Sequence, residues 1–337
     1  MIISDSPAGK RPKVTLSPIE QPKGLSVAEV SAIASQIITN VEKVIVGKHE
    51  QIVLAIAVFF AEGHLLIEDV PGVAKTMLAR AIAQSAGCTF KRIQCTPDLQ
   101  PSDVLGEAKL EPQTGHTEFR FGPLFSQFVL VDEINRASPR TQSALLEAMG
   151  EAMVTAGNVT YRLQKPFMVV ATQNPIEQEG TFLLPEAQKD RFMMRMNLGY
   201  PSFDDEKQMV ERFQLRHPIE TIQPVTTPDG ILKSQEAVRG VQVSSAVCDY
   251  ILKIVRATRE HPALLLGSSP RGSLGLFRAA QAMATIESKN FVSVEQVKTI
   301  AQNVLAHRLT VRKEEKYRDI KVAQVMTEIL AQVPLPS

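Results

Sequence analysis

From Ser26 onward, apolar residues at Val30, Ile33, Ile37 and Ile38 recur at helical spacing, and Val44-Ile45-Val46-Gly47 follows as a short apolar turn before a second helix running through Phe60. The period then changes. Leu65-Leu66-Ile67, Phe128-Val129-Leu130-Val131 and Phe167 to Ala171 are unbroken apolar runs, the pattern of strands buried on both faces, and Phe90 to Cys95 reads as another strand. Helical faces separate them: Met77, Leu78, Ala81 and Ile82 after the first run, and Leu145, Leu146 and Met149 after the second, where Ser138 is placed to cap the helix and Pro139 to open it. Strands alternating with helices predict an α/β fold, a parallel, doubly wound sheet sandwiched by helices up to about Pro201. Segments around 204–215, 244–260, 272–288, 293–308 and 319–332 keep helical spacing without strand signals, which predicts an all-α C-terminal domain. The expected division is a mobile tail over 1–25, rich in Pro, Ser, Gly and Lys, an α/β domain over 26–202 and a helical domain over 203–337. A docking arm for a neighbouring subunit is the alternative for the tail. Two stretches read as β-hairpins: Gly106 to Phe125, where turn chemistry at Pro112-Gln113-Thr114-Gly115 precedes the alternating Thr117 to Phe121, and Val154 to Leu163, broken at Gly157-Asn158.

The joins between these elements carry the chemistry. Leu65-Leu66-Ile67-Glu68 ends in a loop, Asp69-Val70-Pro71-Gly72-Val73-Ala74, and a helix opens at Lys75-Thr76-Met77. That order aims unpaired helix N-terminal amides at a phosphate. Lys75 would lie across the β- and γ-phosphates of a nucleotide, and the Thr76 hydroxyl would ligate Mg²⁺. The run Phe128 to Val131 carries Asp132 and Glu133 to the carboxyl end of a strand, where open α/β sheets bind ligands. Asp132 would hold the magnesium, and Glu133 would orient and deprotonate an attacking water. The loop departs from the strict phosphate-binding pattern, with Asp69 and Ala74 where glycines are wanted. Ala74 is expected to keep a negative φ, because alanine with positive φ costs on the order of 1 kcal/mol or more. Asp69 is compatible with a bound polyanion if its side chain turns away and caps loop amides. A strand-to-helix turn without ligand is the alternative for the loop alone. Adjacent carboxylates at the end of a buried strand argue against it, since each charge needs a partner.

Composition narrows the classes. A chain of 337 residues suggests two domains, and 44% hydrophobic content is ample for a core. A formal net charge of +1 with 22% charged residues argues against a protein that coats nucleic acid or an acidic membrane by bulk electrostatics. Cys88, Cys95 and Cys248 show no C-x-x-C spacing and read as buried thiols in a reducing compartment. No apolar run approaches the ~20 residues of a membrane span, and the opening residues lack a signal-peptide core, which leaves the cytoplasm as the default location. The six histidines are scattered without metal-ligand spacing, which points to core or surface roles. The first hairpin carries Glu107, Lys109, Glu111, Glu118 and Arg120 with no cationic excess, against a nucleic-acid remodeller.

These segments, with Asp132-Glu133-Ile134-Asn135-Arg136-Ala137, Gln142 to Met149, Ala171-Thr172-Gln173-Asn174-Pro175, Leu184 to Phe192 and Ser269-Pro270-Arg271-Gly272, make the chain from about residue 26 resemble a MoxR-type AAA+ ATPase, of the branch related to magnesium chelatase motor subunits. The resemblance implies a nucleotide-binding α/β domain with a helical lid, and hairpins that correspond to the helix-2 and pre-sensor inserts. It implies that Asn174 is a sensor positioning the attacking water, with an Asn-Pro turn starter as the alternative. Arg191 matches the finger inserted into a neighbour's site, or is a helix C-terminal charge. Arg271, at a helix start where a cation is unfavourable, matches the lid sensor of the γ-phosphate. Arg136 would pair across an interface or with Glu133 or Glu147. Val46 and Gly47 lie in a segment that walls the base in many nucleotide-binding proteins, with a plain core role as the alternative. The family further implies Mg-ATP hydrolysis, a ring (a hexamer), chaperone-like action on protein complexes, and partners with von Willebrand factor A domains; the client itself is not legible. A nucleotide-gated scaffold with little hydrolysis and a chelatase-like motor subunit are the alternatives.

Overall fold

The unbroken apolar runs sit side by side in one sheet. The computed structural model describes residues 24–110, 117–156, 159–175, 181–213, 218–317 and 320–336. Helices α1 (Val27–Glu42) and α2 (His49–Phe60) precede β1 (Leu65–Glu68), α3 (Lys75–Ser85), β2 (Phe90–Gln94), α4 (Pro101–Leu105), the hairpin β3 (Gly106–Leu110) and β4 (Thr117–Phe121), and β5 (Phe128–Asp132). Then come α5 (Pro139–Glu151), the hairpin β6 (Met153–Ala156) and β7 (Val159–Arg162), β8 (Met168–Gln173), α6 (Glu186–Lys189) and β9 (Met194–Met196). The five-stranded sheet has the order β2-β5-β8-β1-β9 and is parallel throughout. The tail expected over 1–25 lies outside the described residues up to position 23.

The alternation of side chains explains why the central strands are apolar up to their carboxyl ends, where Glu68, Asp132, Thr172 and Gln173 stand. Leu65 and Ile67, Phe128 and Leu130, and Met168 and Val170 enter the core on one face, and Leu66, Val129, Val131, Val169 and Ala171 enter the core on the other. Each large side chain so buried is worth about 1.5–3 kcal/mol against exposure. Met193, Met194 and Met196 fill the same core. Helix α1 starts where Ser26 and Glu29 form a capping box, and α5 starts at Ser138, which accepts from Thr141 N, with Pro139 in the first turn.

The C-terminal part contains α7 (Phe203–Phe213), α8 (Pro228–Arg239), α9 (Ser245–Glu260), β10 (Leu264–Leu266), α10 (Pro270–Ile286), α11 (Val294–Leu305), β11 (Thr310–Val311), α12 (Lys313–Tyr317) and α13 (Val322–Gln332). Two features correct the sequence reading. Helix α8 has no counterpart among the expected segments, and β10 and β11 form a small antiparallel pair where no strand was expected. Helices α1 and α2 pack on α8 and α10, so the larger apolar core runs from the sheet into this part.

Two buried histidines lock the packing and give the stability a pH dependence. His64 Nδ1 accepts from Val169 N at 3.0 Å while Nε2 donates to Met149 O at 3.1 Å. His307 Nε2 donates to Phe192 O at 3.0 Å. Burial pulls the first down to about 4, and burial with the neighbouring Arg308 charge pulls the second to about 3. Unfolded histidines titrate near 6.5, so between that pH and 4 the unfolded chain binds more protons than the folded one. Stability is therefore full above that window and falls as pH falls through it. Each histidine should cost about 2 kcal/mol between pH 7 and 5, above the main carboxylate range. Urea midpoints across that interval measure it, and a flat profile would refute the neutral, buried assignment.

Candidate functional site

The β2–β5 register places Gln94 opposite Asp132, and the β1–β8 register places Glu68 opposite Gln173, so the carboxyl ends of the central strands share one edge. Facing that edge is the N-terminus of α3. Ala74 precedes it without any side-chain cap, and the positive end of the helix faces the space in front. Pro71, Gly72, Ala74, Lys75, Thr76 and Met77 line a cavity of about 370 Å³ with Arg92, Asp132, Glu133 and Asn174 opposite.

The loop holds its shape in two unexpected ways. Ala74 adopts the left-handed conformation, φ 62° and ψ 23°, which overturns the expected negative φ. The turn that swings the chain from loop into α3 demands this conformation, and alanine accepts it at a cost of about 1–3 kcal/mol. Glu133 is also left-handed, at φ 57° and ψ 50°. The other described non-glycine residues with positive φ, Glu62, Ala152 and Ser288, sit at helix C-terminal ends, where this conformation is ordinary. Ala74 and Glu133 instead precede helical turns, so the backbone strain gathers at the cavity. Asp69 turns inward: Oδ1 accepts from Val70 N at 2.8 Å, and Oδ2 accepts from Leu198 N and Gly199 N at 2.6 Å each. Its charge is spent on three amides, as the loop requires if an anion is to approach. Lys75 Nζ donates to Asp69 O at 2.7 Å.

The carboxylates have the partners that burial demands. Arg92 donates to Asp132 Oδ2 from Nε at 3.1 Å and from Nη2 at 2.7 Å, and Thr172 Oγ1 donates to Asp132 Oδ1 at 2.6 Å. Glu133 Oε2 accepts from Gln94 Nε2 at 2.9 Å and from Arg136 Nη1 at 3.0 Å. Of the partners weighed for Arg136, the one in the structure is Glu133. Asp132 and the Thr76 hydroxyl offer hard oxygen donors across the cavity, a set that suits Mg²⁺. Arg92, Gln94 and Thr172 were not singled out by the sequence; a basic residue alternating with Gln94 toward the end of an edge strand was the available signal.

A second cavity, about 260 Å³ and mostly apolar, shares Pro71, Gly72 and Ala74 with the first and is walled by Val44, Ile45, Val46, Val73, Tyr200 and Met209. Gly47 makes the turn behind it, at φ +70°, where a Cβ would overlap the Asp205 carboxylate. Asp69 and Val70 line neither cavity.

Arg191 and Arg271 stand apart from this cluster, and neither lines the cavities. Arg191 Nη1 donates to Leu146 O at 2.6 Å, across the last turn of α5 and against Gly150. Arg271 is exposed in the first turn of α10, behind the N-cap Ser269. A buried junction joins their neighbourhoods. Asp190 accepts from Ser269 Oγ at 2.9 and 2.8 Å and pairs with Arg308, whose Nη2 donates to Phe192 O at 2.6 Å. In the first hairpin the register sets Glu107 opposite Arg120 and Lys109 opposite Glu118, so opposite charges alternate across the strands. Phe119, Phe121 and Phe125 pack with Tyr161 of the second hairpin, Phe119 stacked on Tyr161 at 4.6 Å.

A parallel sheet of this order, a phosphate-type loop entering α3 and a helical C-terminal part define an AAA-type ATPase fold. Residues 64–194 match the model of the ATPase family associated with various cellular activities (AAA), and residues 256–329 match that of the AAA lid domain. YeaC of Bacillus subtilis is 44% identical over 308 residues, 91% of this chain and 96% of its own. The chaperone MoxR1 of Mycobacterium tuberculosis is 38% identical over 318 residues, 92% of this chain and 84% of its own. The crystal structure of a candidate ATPase from Cytophaga hutchinsonii superposes with a TM-score of 0.86 at 36% identity, covering 92% of this chain and 97% of that one. The chain belongs to the MoxR family of AAA+ ATPases. Among the described residues no helix is long and apolar enough to cross a membrane.

Proposed function

We propose that the protein hydrolyses Mg-ATP as a ring-forming motor and uses the cycle to remodel protein complexes. The observation that carries this reading is the single cavity in which Lys75, Thr76 and the N-terminus of α3 face Asp132, Glu133 and Asn174. In the proposed site the triphosphate lies along the α3 amides and Lys75, and the base enters the apolar cavity beside Val46 and Tyr200. Thr76 and Asp132 would hold Mg²⁺, which neutralises charge on the β- and γ-phosphates. Glu133 takes the proton of the attacking water, with Asn174 beside it to orient that water. Arg191 belongs to the neighbour's site, consistent with its place outside the cavity of its own chain, and Arg271 reports the γ-phosphate to the lid that we take to begin at residue 203. The family resemblance supports a hexamer, chaperone-like work and partners with von Willebrand factor A domains, and we take the location to be the cytoplasm.

The test is turnover as a function of protein concentration. With a catalytic arginine supplied by a neighbour, phosphate release per subunit rises with concentration as the ring assembles, and Lys75→Ala loses nucleotide binding as well as turnover. Equal turnover per subunit in dilute, monomeric protein removes the shared site. Binding without turnover at any concentration leaves the nucleotide-gated scaffold.

A further inference from the structure

Arg92 is the one cation in the cavity that the proposed mechanism leaves without a task beside Lys75. Its guanidinium makes two donations to the same oxygen of Asp132, and it also bonds Gln94 Oε1, whose amide nitrogen in turn holds Glu133. The second Asp132 oxygen is taken by Thr172. The two anchors differ in permanence. Thr172 is fully buried on β8 and fixed by packing, whereas Arg92 is a half-exposed side chain on the edge strand β2. Arg92 and Thr76 also line an open cleft on the far side, with Arg80, Gln84 and Phe90, so the guanidinium has room into which to swing.

We propose that Arg92 is a built-in counter-ion that competes with the divalent metal for Asp132 and so makes metal entry depend on the nucleotide. This rests on the reading of Asp132 as a metal holder. A divalent ion approaching Asp132 meets a guanidinium already on the only readily vacated oxygen, and the two cations repel at close range. A nucleotide changes the balance, because its phosphates supply the negative charge that stabilises the metal and give the displaced arginine an alternative partner. Metal without nucleotide is thereby disfavoured. Release of Arg92 from Gln94 would also loosen one of the two holds on Glu133, the other being Arg136.

Mn²⁺ serves as a spectroscopic probe for the metal, with binding read by electron paramagnetic resonance in the presence and absence of ADP. In Arg92→Gln the Mn²⁺ midpoint with ADP should fall about tenfold, the scale expected for one close charge pair in a half-exposed site, and Mn²⁺ should bind measurably without nucleotide. Arg92→Lys keeps the charge but loses the two-pronged contact and should fall between. A midpoint unchanged or raised in Arg92→Gln, with the protein folded by circular dichroism, overturns the proposal. Asp132→Asn separates the two readings. Loss of Mn²⁺ binding there together with an unmoved Arg92→Gln midpoint sinks the counter-ion alone, whereas Mn²⁺ binding untouched by Asp132→Asn sinks the metal assignment and the counter-ion with it.

Discussion

Glu133→Gln is expected to bind ATP within a few-fold of the parent and to lose turnover by about 10²–10⁴-fold, the usual contribution of a general base. The substitution keeps size and hydrogen-bonding reach, so contacts to Gln94 and Arg136 can persist while the proton acceptor is removed. Binding should be spared because, in the proposed site, the phosphates would be held from the other wall, by Lys75 and the α3 N-terminus. The measurement pairs fluorescent-nucleotide affinity with single-turnover phosphate release. Turnover at the parent rate would take Glu133 out of the base role, and lost affinity would show that the carboxylate shapes the phosphate site instead. The left-handed backbone at Glu133 makes this more than a routine test. A residue held in a costly conformation at the end of a buried strand is over-determined by its surroundings, and relief of that strain by a simple packing role is not available where its side chain faces the cavity.

How much of this was legible in the sequence follows from where each signal lives. The central strands were read because both their faces are buried, which favours an unbroken apolar run until the polar residues at their carboxyl ends. Helix α8 was missed for the opposite reason. Its inner face includes Ser234, bonded to Gly230 O, and Gln235, bonded to Phe59 O, so two of its buried positions are polar and the helical period is faint. The strands β10 and β11 are too short to alternate. At the site, local order was visible and remote pairing was not. The loop, Lys75, Thr76 and the two carboxylates are contiguous in the chain and were found by pattern. Arg92 meets Asp132 only through the β2–β5 register, and two of the three amides that neutralise Asp69 come from Leu198 and Gly199 beyond β9. The condition set on Asp69 was right in kind, since its carboxylate does cap loop amides. The condition on Ala74 was wrong, because steric preference was weighed without the turn that the entry into α3 imposes.

Arg191→Ala should lower kcat by about 10³–10⁵ while leaving nucleotide affinity near that of the parent, because Arg191 does not line the cavities of its own chain. A structural reading competes with this one. The guanidinium lies at the C-terminal turn of α5, donating to Leu146 O, and a cation there stabilises a helix by about 0.3–1 kcal/mol. That role predicts a small loss of stability and little else. Mixing separates the two. Glu133→Gln and Arg191→Ala are each expected to be nearly inactive, yet co-assembled in equal amounts they should regain turnover, since roughly a quarter of randomly formed interfaces pair an intact Glu133 with an intact Arg191 from the next subunit. No arrangement within one chain restores activity in this way, because neither variant alone carries both groups. If the mixed, assembled protein stays as inactive as its parts, Arg191 acts on its own subunit through α5, and the ring would serve some purpose other than completing the site.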